Sequence, residues 1–122
     1  MQTRPLGHTG LDVTVIGFGA MTIGGAFGPV DDAISSAALH AAMDAGSNFI
    51  DTSNAYGSGH SEQLIGKFLQ ERSDRRRIIL CTKGGNNMVT GQVNFAPDYI
   101  RECLEGSLER LGVETIDVYL LH

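Results

Sequence analysis

Three apolar runs of the sequence each end in a side chain that can gain or lose a proton. The runs at residues 49–50, 78–82 and 118–121 are followed or closed by Asp51, Lys83 and His122. Short, uninterrupted apolar runs are typical of strands that are covered on both faces. Ligands of α/β folds gather at the carboxyl ends of such strands. We therefore expect these three groups to meet at one end of a parallel sheet.

A fourth residue, Tyr56, lies one short loop beyond Asp51 and suggests the chemistry. A phenol with a pKa of about 10 is a poor acid at neutral pH. A nearby ammonium such as Lys83 favours the phenolate and lowers that pKa, and a shift of three units requires about 4 kcal/mol. Asp51 could hold Lys83 by an ion pair, and His122 could orient a polar substrate oxygen. This set suits general-acid catalysis of carbonyl reduction by hydride.

Each of the four residues also has an ordinary structural explanation. Asp51 could cap local N–H groups, Lys83 could be an exposed strand end, and Tyr56 could be a packed loop aromatic. His122 could be a terminal residue with no role. Their coincidence at one end of one predicted sheet favours a common site.

The first half of the chain predicts a hairpin and two strands around a helix. Residues 6–15 alternate around a Gly-containing turn, which predicts a small β-hairpin, and Val15–Met21 reads as the first buried strand. Asp31 and Asp32 can cap a helix that Gly46 ends. The apolar stripe of this helix is predicted at Ile34, Ala37, Ala38, Ala41, Ala42 and Ala45.

The second half predicts two more helices and two more strands. Ser61 is the predicted cap of the second helix, with Glu62 in its first turn. Its inner face is predicted to comprise Leu64, Ile65, Phe68 and Leu69. A strand over Arg77–Lys83 and a loop over Gly84–Phe95 follow; in that loop Asn86, Asn87 and Met88 suit a plain turn as well as a substrate contact.

The third helix begins near Pro97 and ends at Gly112, and the last strand covers Ile116–Leu121. The buried stripe of this helix is predicted at Ile100, Leu104, Leu108 and Leu111. Alternating strands and helices predict a parallel sheet with right-handed crossovers. The last strand would leave one sheet edge bare, which invites self-association. A complete (β/α)₈ barrel needs about 250 residues, roughly twice this chain.

Composition narrows the class of protein. A chain of 122 residues suits one small domain, and a net charge of −5 disfavours nucleic acid or an anionic membrane as a partner. No apolar run reaches the roughly 18 residues of a membrane span, and the N-terminus lacks a signal-peptide core. Cys81 and Cys103 lie in apolar patterns without metal-ligand spacing, so we expect reduced thiols, no metal site and a cytoplasmic location.

Several spaced motifs together resemble the aldo-keto reductase family. They are residues 6–21, the stretch GSNFIDTSNAYGSGHSEQLIG at 46–66, Thr82-Lys83, LERLG at 108–112 and IDVYLLH at 116–122. The resemblance implies a (β/α)₈ TIM barrel with an N-terminal β-hairpin, of which residues 1–122 would form the N-terminal half: the hairpin, four strands and three helices. It also implies NADPH-dependent reduction of an aldehyde or ketone to an alcohol.

Position by position, the resemblance implies roles for individual residues. Tyr56 would be the proton donor, Lys83 and Asp51 its activating pair, and His122 the substrate-orienting residue. Gly19, Ala20 and Met21 would lie under the nicotinamide, with Asp51 also near the ribose. The pair Gly17 and Gly19 lacks the third glycine and the acid of a Rossmann fingerprint.

The resemblance further implies that most of the cofactor site lies in later strands and loops outside these residues. We therefore expect this chain alone to be inactive, as a fragment of a longer reductase. The alternative is a non-catalytic, cofactor-sensing module like the channel β-subunits of the family. The substrate is not specified by the sequence, because the loops that select it follow the later strands.

Overall fold

A computed structural model describes residues 1–87 and 89–122. Met88, which the sequence assigns equally well to a plain turn or a substrate contact, lies outside the described residues. The strands are β1 (Thr3–Pro5), β2 (Asp12–Thr14), β3 (Phe18–Gly19), β4 (Phe49–Asp51), β5 (Ile79–Gly84), β6 (Asn86–Asn87), β7 (Gln92–Val93) and β8 (Val118–Leu121). The α-helices are α1 (Asp32–Asp44), α2 (His60–Glu71) and α3 (Pro97–Leu111).

The N-terminal hairpin is present, although its first strand precedes the predicted segment and only its second strand lies within it. β1 and β2 pair antiparallel, with Thr3 opposite Thr14 and Pro5 opposite Asp12. The turn between them contains Gly7 and Gly10 at φ values of +57° and +81°, which residues other than glycine rarely adopt.

The central sheet is parallel in the order β3-β4-β5-β8, which confirms the predicted α/β fold. Gly19 pairs with Asp51, and Lys83 pairs with Leu120. The carboxyl ends of the four strands therefore lie along one rim of the sheet. The core between sheet and helices is formed by fully buried side chains that include Leu39, Ile50, Ile65, Phe68 and Leu111.

The first strand is shorter than predicted. Only Phe18–Gly19 pair with β4, whereas Val15 and Ile16 are exposed at 48% and 66%. β3 pairs with only one of the described strands, so no described strand covers the other side of Val15 and Ile16. The prediction of one buried strand over Val15–Met21 is therefore wrong at both ends.

Helix α1 has the predicted cap but the opposite buried face. The Asp31 side chain accepts a hydrogen bond from the Ile34 amide at 3.0 Å. The buried residues are Ser35, Leu39 and Met43, whereas Ile34 is 72% exposed. The predicted stripe of Ile34, Ala37, Ala38, Ala41, Ala42 and Ala45 is exposed or half-buried. Larger side chains remove more apolar area from water, so Leu39 and Met43 outweigh the alanines.

Helix α2 begins two residues earlier than predicted. Its N-cap is Gly59, at φ +94°, and no side chain caps the helix. Ser61 therefore lies inside the first turn, and its hydroxyl bonds to Thr52 and to the Ala20 carbonyl instead. The predicted inner face of Leu64, Ile65, Phe68 and Leu69 is buried as expected.

Helix α3 begins at Pro97 and is followed by Gly112 at φ +65°, as predicted. Leu111 is buried as predicted, but the other buried residues are Cys103 and Ser107, each one position before a residue of the predicted stripe. Ile100, Leu104 and Leu108 are only half-buried. The helix packs on α2 and β5, and that pair of neighbours sets its rotation.

Three boundaries also differ from the sequence-based expectation. The predicted loop Gly84–Phe95 contains the hairpin of β6 and β7. β5 begins at Ile79 instead of Arg77, because Arg75–Arg77 form an exposed 3₁₀ turn. β8 begins at Val118 instead of Ile116. Within the described part of the chain, no helix combines the length and apolar character that crossing a bilayer requires.

Candidate active site

All four titratable residues singled out from the sequence lie at the rim formed by the strand ends. Asp51 is the last residue of β4, Lys83 is the penultimate residue of β5, and His122 follows β8. Tyr56 begins the 3₁₀ turn Tyr56–Gly59, which connects β4 to α2. The structure brings these side chains together from distant parts of the chain because the parallel strands end side by side.

Lys83 is at the centre of this group. Its Nζ donates hydrogen bonds to Asp51 Oδ1 at 2.6 Å, to the Thr52 carbonyl at 2.8 Å and to the Tyr56 hydroxyl at 3.2 Å. The side chain of Lys83 is 13% exposed and that of Asp51 37%. The ammonium thus has three oxygen partners, which matches its three donors.

These contacts also affect the protonation of neighbouring groups. Burial lowers the pKa of Lys83, but hydrogen bonds with Asp51 and Tyr56 outweigh it, and the pKa is raised above its usual value. Lys83 is therefore an ammonium at neutral pH. Burial, assisted by the charge of Asp51, raises the pKa of the adjacent Cys81 thiol to about 11, so this thiol stays protonated.

Tyr56 is held in place through its backbone. The side chain is 8% exposed. A Cβ added at Gly24 would lie 2.8 Å from the Tyr56 carbonyl carbon, and one at Gly57 would lie 2.5 Å from the Gly24 oxygen. The turn after β3 thus packs backbone to backbone against the Tyr56 turn. Ser58 has φ +53° without being glycine, a strained geometry that is frequent at functional sites.

His122 approaches Tyr56 edge-on, with ring centroids 5.7 Å apart at 86°. Its Nδ1 lies 2.9 Å from the hydroxyl of Ser53, a fully buried residue. Burial and the charge of Lys83 lower the pKa of His122, against an opposing effect of Asp51. The neutral imidazole is therefore favoured at neutral pH. Sequence reasoning missed Ser53; a small polar residue two positions after Asp51 was the available signal.

The segment expected under a nicotinamide lies beside Asp51. A Cβ at Gly19 would meet nothing within 4 Å, so there is open space beside this residue. Ala20 is fully buried; its N–H donates to the Asp51 carbonyl at 2.8 Å and its carbonyl accepts from Ser61 at 3.0 Å. Ala20 can thus contribute shape but no free backbone group, and half-buried Met21 follows it.

A separate cleft of about 470 Å³ lies between the Asn54–Ser58 loop, the β6-β7 hairpin and α3. Its described lining includes Asn54, Tyr99, Glu102 and Arg110 but none of the four titratable residues. Among the described residues, no cluster of three or more His, Cys, Asp or Glu side chains is arranged to hold a metal ion.

Comparison with known proteins gives a consistent result. The sequence profile of the Aldo/keto reductase family matches residues 15–122. The chain is 40% identical to the aldo-keto reductase yakc [NADP(+)] of Schizosaccharomyces pombe, over 100% of this chain and 36% of that protein. It is 37% identical to the L-galactose dehydrogenase of Arabidopsis thaliana, over 100% of this chain and 38% of that protein.

Solved structures are similar to it as well. The holo form of aldo-keto reductase AKR11C1 from Bacillus halodurans superposes with a TM-score of 0.87 and 35% identity, covering 100% of this chain and 40% of that one. The glycerol dehydrogenase AKR11B4 from Gluconobacter oxydans gives a TM-score of 0.85 and 34% identity, covering 98% and 38%. The chain thus spans less than half the length of the relatives it matches.

Proposed function

The chain belongs to the aldo/keto reductase family, and from that premise we propose that it supplies the proton-donating site of an oxidoreductase that reduces an aldehyde or ketone to an alcohol with NADPH. The observation that carries this proposal is the position of Lys83 Nζ, within hydrogen-bond distance of both Asp51 and the Tyr56 hydroxyl. A phenol in contact with a buried ammonium is suited to release its proton, since the positive charge stabilises the phenolate.

Each of the four residues has a distinct task in this proposal. The Tyr56 hydroxyl donates its proton to the substrate carbonyl oxygen, and Lys83 stabilises the phenolate that remains. Asp51 fixes the Lys83 ammonium. When Ser53 donates to Nδ1 of His122, the other ring nitrogen carries the proton and can donate to the same carbonyl oxygen.

NADPH, when bound, would supply the hydride that the carbonyl carbon receives. Gly19, Ala20 and Met21 would form the surface beneath its nicotinamide, and Asp51 would lie near the ribose. The open space above Gly19, together with the pairing of Gly19 with Asp51, supports this placement. The name of the S. pombe relative, which includes NADP(+), supports the choice of nucleotide.

We also propose that residues 1–122 act as the N-terminal half of a (β/α)₈ barrel. Four parallel strands leave the sheet open beside β3 and β8, and such a sheet covers only one side of a substrate. Turnover would then require the remaining strands and their loops. On this proposal the 122-residue chain by itself is inactive.

A decisive experiment fuses this chain to the C-terminal part of the B. halodurans relative and follows NADPH oxidation with a generic aldehyde. Tyr56→Phe should lower kcat at least a hundredfold, because it removes the proton that general-acid catalysis supplies. Tyr99→Phe, which removes a phenol in the separate cleft, is the matched control and should keep full activity. If Tyr56→Phe were as active as the parent, the assigned acid would be wrong.

The regulatory alternative gains no support from the comparisons, whose members are named as reductases and dehydrogenases. A fused protein that binds NADPH tightly but turns over no aldehyde would favour it.

A reducing compartment such as the cytoplasm is supported by Cys81 and Cys103, which are buried and form no disulfide.

Self-association is a further part of the proposal. Leu120 and Leu121 of the outer strand β8 are 42% and 64% exposed, and an open strand edge offers unpaired backbone groups to a second copy. Sedimentation of the 122-residue chain should therefore show a dimer or larger species. Leu121→Lys should shift it toward the monomer, because charge on an edge strand opposes pairing.

A further inference from the structure

The first turn of α2 carries two polar side chains that are completely buried. Ser61 and Glu62 are both 0% exposed, and neither belongs to the proposed proton-transfer group. Burying a hydroxyl or a carboxylate is costly unless it is hydrogen-bonded or paired. Their partners therefore indicate what these two residues do.

Ser61 connects the chain that follows β3 with the chain that follows β4. Its hydroxyl donates to the Ala20 carbonyl at 3.0 Å and lies 2.9 Å from the hydroxyl of Thr52. Because the single proton of Ser61 is used on Ala20, Thr52 is the donor in the second bond. Thr52 in turn offers its carbonyl to Lys83 Nζ at 2.8 Å.

Glu62 connects β5 with α3. One carboxylate oxygen accepts from the Thr82 hydroxyl at 2.6 Å, and the other accepts from Arg110 Nε at 2.7 Å. Thr82 is fully buried and directly precedes Lys83. The Arg110 side chain also packs on Gly59, where an added Cβ would lie 2.6 Å from its Cδ. Through Arg110, Glu62 thus links strand β5, which carries Lys83, to the turn Tyr56–Gly59.

We propose that Ser61 and Glu62 form a positioning element, which sets the separation of the strand ends that carry Asp51 and Lys83 and thereby the reach of Lys83 to Tyr56. The proposal rests on the proposed function for its catalytic consequence. Its structural basis is that one helical turn bonds to Ala20, which belongs to the proposed cofactor segment. The same turn bonds to Thr52, next to Asp51, and to Thr82, next to Lys83. Ser61 and Glu62 act only through these neighbours and touch no proposed reacting atom.

The sequence offers a direct readout of this geometry, since it contains only two lysines, Lys67 and Lys83. Carbon-13 NMR of lysine labelled at Cε should give two titrating signals, with exposed Lys67 as an internal reference. The titratable groups that face Lys83 are Asp51 and Tyr56, which bond to its ammonium, and Cys81 and His122, on whose pKa values its charge acts. None of these is altered in the variants whose Lys83 titration is measured.

Thr82→Val removes the hydroxyl bonded to Glu62 while keeping the shape of the side chain. We expect the titration midpoint of Lys83 to fall by about one pH unit, a tenfold loss of proton affinity, because a displaced β5 weakens the contact with Asp51 while burial persists. Thr82→Ser keeps the hydroxyl and should restore the midpoint. Ile65→Val, a buried change on the same helix, should lower stability without moving it.

A lower melting temperature in Thr82→Val with an unchanged Lys83 midpoint would overturn the proposal, since that is the result of a purely structural bond. Should Thr82→Val fail to fold, Ser61→Ala makes the same test through Thr52, whose carbonyl binds Lys83. Ser61→Ala should also lower the titration midpoint of Lys83. An unchanged Lys83 midpoint in folded Ser61→Ala would likewise overturn the proposal.

The fused protein separates this proposal from the proposed function. There, Thr82→Val should lower kcat roughly tenfold with little change in the KM for NADPH, since misplacement of a catalytic group acts on the chemical step. Full activity of Tyr56→Phe would refute the assigned acid, while the Lys83 titration would still decide whether Ser61 and Glu62 position that side chain. A shifted midpoint together with an unchanged kcat would refute the catalytic consequence alone.

Discussion

The Ser53 hydroxyl lies 2.9 Å from Nδ1 of His122, although the two residues are 69 positions apart in sequence. Ser53 also accepts a hydrogen bond from the Ala55 amide at 3.1 Å, which fixes its orientation. The other acceptors within reach of this hydroxyl, Asn54 Oδ1 and the Lys83 carbonyl, are each 3.4 Å away, so the much shorter contact with His122 favours donation to Nδ1. A donor at Nδ1 selects the imidazole tautomer that carries its own proton on Nε2.

Replacing Ser53 by alanine should disturb this tautomer. Nitrogen-15 NMR of the histidines should show that the Nε2-protonated form of His122 dominates in the parent and loses that dominance in Ser53→Ala. In the fused reductase kcat should fall about fivefold, which corresponds to one hydrogen bond of about 1 kcal/mol. Ser36→Ala, on half-buried α1 surface, is the control. An unchanged tautomer would show that Ser53 does not orient His122.

The ion pair of Lys83 with Asp51 predicts how stability depends on pH. The pKa of Lys83 is raised above its unfolded value of 10.5. The stability it contributes is therefore fully present below about pH 10 and is lost as the pH rises through the folded-state pKa. Urea unfolding of the parent and Lys83→Met should thus differ most near neutral pH.

The difference in unfolding free energy between the parent and Lys83→Met should shrink as the pH rises above 10.5, the pKa of Lys83 in the unfolded chain. Lys67→Met removes an exposed ammonium from α2 and serves as the control, which should follow the parent at every pH. A stability difference between parent and Lys83→Met that grew with rising pH would contradict the sign of the linkage.

Loss of Arg110 should be costly, because it leaves the buried Glu62 carboxylate without its charged partner. Glu62 is fully buried and the Arg110 side chain is 27% exposed. Removing one member of a buried pair typically costs several kcal/mol, and the partial exposure reduces the expected loss for Arg110→Ala to about 2–3 kcal/mol. Arg101→Ala, exposed on the same helix, should change the free energy of unfolding by less than about 0.5 kcal/mol.

Two glycines at the rim should respond differently to alanine. At Gly24 the new Cβ would lie 2.8 Å from the Tyr56 carbonyl carbon and 2.9 Å from Tyr56 Cβ, so Gly24→Ala should cost about 1–3 kcal/mol by overpacking and displace Tyr56. A Cβ added at Gly19, by contrast, would meet nothing within 4 Å. Gly19→Ala should therefore leave unfolding unchanged but weaken NADPH binding to the fused protein, by occupying the space proposed for the ring.

Thermal unfolding and nucleotide titration of the two variants check this contrast. Equal stability of Gly24→Ala and the parent would show that the turn after β3 does not restrain Tyr56. Unchanged NADPH affinity in Gly19→Ala would place the nicotinamide elsewhere.

The sequence alone determined the order of the strands and helices, the glycines that end two helices and the chemical groups that close the strands. Gly46 and Gly112 mark helix ends through local backbone geometry, at φ values of +92° and +65°. Asp51 and Lys83 follow their apolar runs directly, so their place at strand ends needs only local pattern. The parallel α/β order follows from the alternation of such patterns, and the catalytic roles of the residues stay a proposal.

Beyond the group predicted at the strand ends, only the tertiary structure decided which side chains meet. The exposed stripe of α1 was predicted as buried because periodicity does not show that Leu39 and Met43 exclude more water than alanines. Ser61 looked like a helix cap, yet it bonds to Ala20 and Thr52, which the sheet register brings beneath it. Ser53 and His122 find each other for the same reason: contacts between distant residues depend on register and packing, which no local pattern contains.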